Sequence, residues 1–163
     1  MSVVTAPAPT LPTLGSRRCN EDGLRIIRAF EGFYPSPYIC PAGVWTIGYG
    51  ATRDRFGQPV SRETPRVDRE TADAMLERDV RDSEIAVARL LPVPLTDNQF
   101  SAIVSFTFNL GSGSLQRSTM RQKILRGDHD EVPAELAKWV RGGGRVLPGL
   151  VRRRRAEGVL YAT

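Results

Sequence analysis

Apolar residues recur every three to four positions at Leu24, Ile27 and Phe30, with Asn20 in front as a cap and Gly32 behind as a stop. That spacing predicts a helix over 21–31. From Tyr34 to about Val60 the period vanishes. Proline and glycine there punctuate short β-prone runs, YIC, VWTIGYG and QPV, the pattern of a small twisted antiparallel sheet with tight turns. The helical period returns after Pro65. Asp68 can cap a long helix whose Ala72, Met75, Leu76, Val80, Ile85, Val87 and Leu90 form one broad apolar stripe, ended by LPVP. Thr96 or Asp97 opens the next helix, NQFSAIVSFTFNLG, which is apolar on nearly every side and is expected at the centre of the molecule. Further helices fit SLQRSTMRQKILRG, VPAELAKWV and LVRRRRAEGVLY, separated by GDHDE and GGGRVLPG. The expected class is α+β: a short helix, a small antiparallel sheet, then a helical bundle.

A chain of 163 residues with 40% apolar content can bury one sizeable core, so a single domain is the default. Its opening, MSVVTAPAPTLPTLGSRR, is rich in Pro, Thr and Ala, and reads as a mobile lead-in over 1–15 before a domain over 16–163. That opening has no basic segment followed by an apolar core. No apolar run approaches the roughly 18 residues that span a bilayer. Accumulation in the cytosol without stable membrane insertion is therefore expected. The net charge of +5 and isoelectric point near 9.8 favour an anionic partner, whether nucleic acid, anionic lipid or acidic polysaccharide, without choosing among them. Zinc spacings, a phosphate-cradling Gly-Lys loop, aromatic ribonucleoprotein motifs and internal repeats are all missing, which weakens the specific nucleic-acid readings. No metal or organic cofactor is expected.

The candidate chemistry centres on EGFYPSPYICPAGVWTIGYGAT, residues 31–52, where Glu31 is the only acid. At the C-terminal end of the first helix the partial negative charge of the helix terminus disfavours ionisation, and burial would add to it. A carboxyl held protonated near neutral pH suits a general acid. The nearest downstream groups able to join a reaction are Cys40 and Thr46.

Together with FTFNLGSGSLQRSTM and GLVRRRRAEGVLY, this stretch closely resembles the phage-type lysozymes, the endolysins of glycoside hydrolase family 24. The resemblance runs from about Gly23 to Tyr161, with the three blocks in the expected order. Its active-site pattern, Glu, eight residues, Asp or Cys, five residues, Thr, falls on Glu31, Cys40 and Thr46. Cys40 stands where most members carry a second acid. The resemblance implies a lysozyme-like fold with a sheet-containing lobe, a mainly helical C-terminal lobe and a cleft between them. It also implies cleavage of the β-1,4 bond between N-acetylmuramic acid and N-acetylglucosamine in bacterial peptidoglycan by a monomer. The enzyme would be made in the host cytoplasm, act on the wall in the periplasm and depend on a separate pore-forming holin.

Glycoside cleavage needs an acid for the leaving oxygen and, on the opposite face, a base for water or a nucleophile. Glu31 suits the first role. Cys40 suits the second as a thiolate or through a water, with the Thr46 hydroxyl holding that water or steadying the sulfur. Asn109, in FNLG, matches a cleft-lining position where an amide can read an N-acetyl group, although a helix C-cap explains it as simply. Arg153 matches the first Arg of the family's Gly-Leu-x-x-Arg-Arg-x-x-Glu ending and can pair with Glu31 or bind substrate. A solvated basic face across RRRR is the rival reading.

Other assignments compete. Cys40 and the only histidine, His129, would be the pair of a cysteine peptidase, but no motif supports it, and GDHDE reads as a surface loop. A lysozyme-fold wall-binding module without activity, a virion-associated lysozyme and salt-sensitive DNA binding through the basic C-terminus complete the set. For the two cysteines, about eleven helical steps of roughly 1.5 Å put Cys19 on the order of 16 Å from Glu31. Cys40 must stay near that acid, so a Cys19–Cys40 disulfide, which needs Cα atoms within about 7 Å, is not expected.

Overall fold

A computed structural model of the chain describes residue 13 and residues 15–163. The expected lead-in over 1–15 therefore lies, apart from positions 13 and 15, outside the described residues.

Helix α1 (Glu21–Glu31) starts where the Asn20 side chain accepts a hydrogen bond from the Gly23 N–H, and ends at Gly32, whose φ of 77° only glycine adopts readily. It packs on the central helix so closely that a Cβ at Gly23 would stand 2.5 Å from Cys19 Sγ and 2.7 Å from Ser101 Cβ. Strands β1 (Tyr34–Ile39) and β2 (Trp45–Gly48) then form an antiparallel hairpin. Tyr34 opposes Gly48 while Tyr38 opposes Thr46, so β1 carries extra residues between these pairs. That bulge contains Pro35 and Pro37, which have no N–H to give to a ladder. The QPV run is less regular than expected, with Pro59 making only an isolated bridge to Arg53.

Helix α2 (Arg69–Leu90) is capped by Asp68, and α3 (Asp97–Leu110) by a reciprocal capping box of Thr96 and Gln99. Every residue of α3 from Phe100 to Thr107 is buried, as its all-round apolar character predicts. One position of the α2 stripe is corrected. Ile85 is exposed, and Glu84 turns inward because it accepts the Cys19 backbone N–H at 2.8 Å and pairs with Arg81.

Three further expectations change. The single helix anticipated in SLQRSTMRQKILRG is two, α4 (Ser112–Arg117) and α5 (Thr119–Arg126). Ser118 is extended, and its side chain caps the second by accepting the Arg121 N–H. VPAELAKWV is helical only over α6 (Val132–Leu136), after a 3-10 turn at His129–Glu131. Beyond it Trp139 packs edge-on against Phe106, with ring centroids 5.4 Å apart. The GGGRVLPG connection holds a two-stranded ribbon, β3 (Arg141–Gly142) with β4 (Arg145–Val146), turned by Gly143 and Gly144 at positive φ. Helix α7 (Pro148–Ala162) closes the chain against α1, α3 and α6.

Buried Glu135 of α6 accepts from Lys123 Nζ at 2.9 Å, Lys138 Nζ at 2.7 Å and Thr119 Oγ1 at 2.7 Å. The hydrogen bond from Lys123 is the largest cause that holds its carboxyl down at about 2. A depressed carboxyl stabilises the fold above its ordinary value, near 4.5, and that contribution is lost as pH falls from there toward about 2. Denaturant midpoints measured across this window are expected to fall more steeply in the native protein than in Glu135→Gln. Parallel curves would exclude the linkage.

Candidate active site

Glu31 is the last residue of α1, which puts its carboxyl where that helix meets the hairpin. Its Oε1 accepts from Arg153 Nη1 at 2.9 Å, across 122 positions of sequence. Its Oε2 has no hydrogen-bond partner among the described residues and faces Gly50, where a Cβ would stand 3.5 Å away. Gly50 also has φ of +89°, so a side chain there would strain the backbone as well as crowd the carboxylate. Glu31 is 27% exposed. One oxygen is fixed by a guanidinium, and the other is open to a substrate.

Cys40 lies at the start of the hairpin turn, where its N–H donates to Val44 O at 3.0 Å and its carbonyl accepts from Gly43 at 2.8 Å. The backbone N–H groups of Val44 and Ala42 and the Thr46 hydroxyl, in that order of effect, pull the thiol below its ordinary value. Thr46, buried on β2 opposite Tyr38, also has the Val44 carbonyl at 3.0 Å from its Oγ1. One hydroxyl proton serves one of these acceptors at a time, so Thr46 can release the sulfur without losing a partner.

Two tyrosines join this site that sequence reasoning passed over. Tyr34, 48% exposed, and Tyr38 stack obliquely with centroids 4.5 Å apart. Burial, then the charges of Tyr34, Cys40 and Glu31, pushes the Tyr38 phenol up, so it stays neutral. Their signal was the i, i+4 pair of aromatics in YPSPY, which share a strand face and stand in ring contact across the irregular stretch between Tyr34 and Tyr38.

The RRRR run is not a uniformly solvated face. Arg152 and Arg155 are exposed, whereas Arg153 and Arg154 are buried. Arg153 reaches Glu31 with Nη1 and the Ser105 carbonyl with Nη2, its guanidinium 5.9 Å from the Phe30 ring centroid. Arg154 gives Nη2 to Asn109 Oδ1 at 2.8 Å. Asn109 itself sits in the last turn of α3, and the C-cap is Gly111, so the capping alternative for Asn109 falls away. With its oxygen taken by a donor, the amide NH₂ is the end left for a ligand.

His129 is no free surface residue. It is half-buried, with Nδ1 2.7 Å from Tyr161 Oη. Burial pushes the Tyr161 phenol up, so its hydroxyl keeps its proton. This engagement within the helical part leaves the Cys40–His129 pairing without support. Among the described residues no group of three or more His, Cys, Asp and Glu side chains is placed to hold a metal ion.

Both cysteines are free thiols, with Cys19 buried and Cys40 half-buried. Burial pushes the Cys19 thiol up to about 12, the opposite direction from Cys40. Iodoacetamide is expected to label Cys40 in the native protein, at a pH below that of an ordinary thiol, and Cys19 only after unfolding. Mass spectrometry of peptides from the two conditions checks this, and equal native labelling would contradict it.

A model of the family described as phage lysozyme matches residues 28–157 of this chain. The endolysin of Acyrthosiphon pisum secondary endosymbiont phage 1 is 37% identical over 147 residues, covering 87% of this chain and 96% of that protein. Among solved structures, the endolysin from Escherichia coli O157:H7 phage FAHEc1 is similar with a TM-score of 0.81 at 33% identity, over 91% of this chain and 95% of that one. The active form of P1 phage endolysin Lyz gives a TM-score of 0.76 at 29% identity, over 90% and 86% respectively.

Proposed function

This chain belongs to the phage lysozyme family, and on that premise we propose how its residues carry out the family's reaction, hydrolysis of the β-1,4 bond between N-acetylmuramic acid and N-acetylglucosamine in bacterial peptidoglycan. Glu31 is the general acid. It protonates the bridging oxygen as that oxygen leaves the anomeric carbon, and Arg153 on Oε1 keeps the carboxyl turned so that Oε2 meets the sugar. Cys40 acts from the opposite face as a thiolate base. It takes a proton from a water whose oxygen bonds to the anomeric carbon, while Thr46 helps to hold that water. Proton and hydroxide are thereby added across the cleaved bond, and the anomeric carbon inverts. Asn109 donates from its amide to an acetamido carbonyl. The observation that carries this reading is the carboxyl with one oxygen fixed at 2.9 Å by a buried arginine and the other left unpartnered at the hairpin.

The remaining parts of the proposal rest on the family resemblance. One domain over 16–163 carries the activity as a monomer, nucleic acid is no partner, and the protein waits in the host cytoplasm until a separate holin opens a path to the wall. Helices of the described residues are none of them long and apolar enough to cross a membrane.

Digestion of purified peptidoglycan followed by reducing-end labelling and mass analysis tests the reading. New reducing ends at N-acetylmuramic acid are expected. Ends at N-acetylglucosamine, or peptide products, would assign a different bond. Binding without release of fragments would make the chain a wall-binding module.

A further inference from the structure

Glu157, on α7, is completely buried, and no step of the proposed reaction uses it. Its Oε1 accepts from Ser105 Oγ at 2.7 Å, Arg154 Nη2 at 3.2 Å and Arg153 Nε at 3.3 Å, and its Oε2 lies 2.8 Å from Arg154 Nε. The Arg154 Nε contact lacks hydrogen-bond geometry, and Arg154 Nη1 has no partner among the described residues. Among the described residues Glu157 and Asn109 are the side chains that hydrogen-bond the Arg154 fork, which lies over the Phe106 ring with 5.2 Å to its centroid. Stability alone gives little reason for such a cluster, because a buried ion network roughly breaks even against well-packed apolar side chains.

The two guanidiniums diverge from this one carboxylate. Arg153 runs to Glu31, and Arg154 runs to Asn109. We propose that Glu157 is a positioning residue, which clamps both arginines so that the general acid and the acetamido-reading amide stand at a fixed spacing across one sugar. This rests on the roles assigned above to Glu31 and Asn109. A rotation of Arg154 would free the Asn109 amide to flip and present its carbonyl oxygen, which repels the acetamido carbonyl it should bind. A rotation of Arg153 would unfasten Glu31 Oε1. The specificity implied is for a sugar whose acetamido oxygen, rather than a hydroxyl donor, faces Asn109.

The test is a set of full-length variants, Glu157→Gln, Asn109→Ala and the double variant, assayed for kcat and KM on peptidoglycan fragments. Asn109→Ala alone is expected to raise KM about tenfold, the loss of one well-placed hydrogen bond. Glu157→Gln should raise KM by a similar factor and lower kcat. In the Glu157→Gln background, removing Asn109 should change KM less than about twofold. A lowered melting temperature with unchanged kcat and KM, or KM effects that multiply, would overturn the proposal.

If Glu157→Gln does not fold, Arg154→Lys decides. A single ammonium keeps the charge beside Glu157 but cannot also reach Asn109, so KM should rise and Asn109→Ala should add little to it. Unchanged KM in Arg154→Lys, or its failure to fold while Asn109→Ala shows the full KM effect, would make the network structural only and overturn the coupling. Should Asn109→Ala itself leave KM unchanged, the role of Asn109 fails first, and with it this inference, whereas Glu31 is judged separately by its own variant.

Discussion

Glu31→Gln is expected to lower wall hydrolysis by roughly 10²–10⁴-fold, the range supplied by a positioned general acid, while the protein stays folded. The amide has nearly the volume of the carboxyl but no proton acidic enough to give to a leaving oxygen. Its carbonyl still accepts from Arg153 Nη1, so the contact between α1 and α7 keeps its shape. Glu31 is partly exposed, and the buried neighbours of Arg153, namely Glu157 and the Ser105 carbonyl, remain in place. Melting is therefore expected to move by a few degrees at most, and the loss to appear in turbidity clearance of purified walls. Retention of most of the native rate in a folded Gln variant would end the assignment of Glu31 as the acid.

At Cys40 the expected outcome separates two substitutions. Cys40→Ala should lose nearly all activity, because nothing ionisable would remain on the face opposite Glu31. Cys40→Asp should stay active, because a carboxylate at the start of the turn meets the same Val44 and Ala42 N–H groups and the same Thr46 hydroxyl. The two active forms should differ in pH dependence. A base must be deprotonated, so activity rises as pH passes its titration. The thiol is pulled below its ordinary value of 9.0, but aspartate titrates lower still. The rising limb of the pH–rate profile should therefore move to lower pH in Cys40→Asp. Equal rates for Ala and native protein would make Cys40 a structural residue of the hairpin, and an unmoved limb would assign the titration to another group.

Much of the architecture was legible because it is written locally. Caps act over three residues, so Asn20, Asp68 and Thr96 announce α1, α2 and α3 from sequence, and Gly32 announces a stop that only its positive φ requires. Ser118 carried the same kind of signal, but neither proline nor glycine marks the break between Leu115 and Met120. Periodicity also misplaced Ile85 and Glu84, since a stripe of apolar residues does not reveal that the Cys19 N–H needs an acceptor inside. The β3–β4 ribbon was hidden in a glycine run whose turn geometry is visible only once formed.

From sequence alone came the α+β order, the spacing of Glu31, Cys40 and Thr46, and the family likeness that gives them roles; each depends on residue type and on separations along the chain. Tertiary structure alone decided what surrounds those groups. Arg153 finds Glu31 across 122 positions; the family ending singles it out within RRRR, but residue type and charge alone do not separate it from Arg152 or Arg155. The selection follows from the turn of α7 against α1 and α3, which carries Arg153 and Arg154 inward beside Glu157 four and three residues later and leaves their neighbours in water. Composition places charges outside as a rule, because burying one is unfavourable unless it is paired. Here the partners come from α1 and α3, both distant in sequence, as well as from α7 itself, so the exception exists only in the folded molecule.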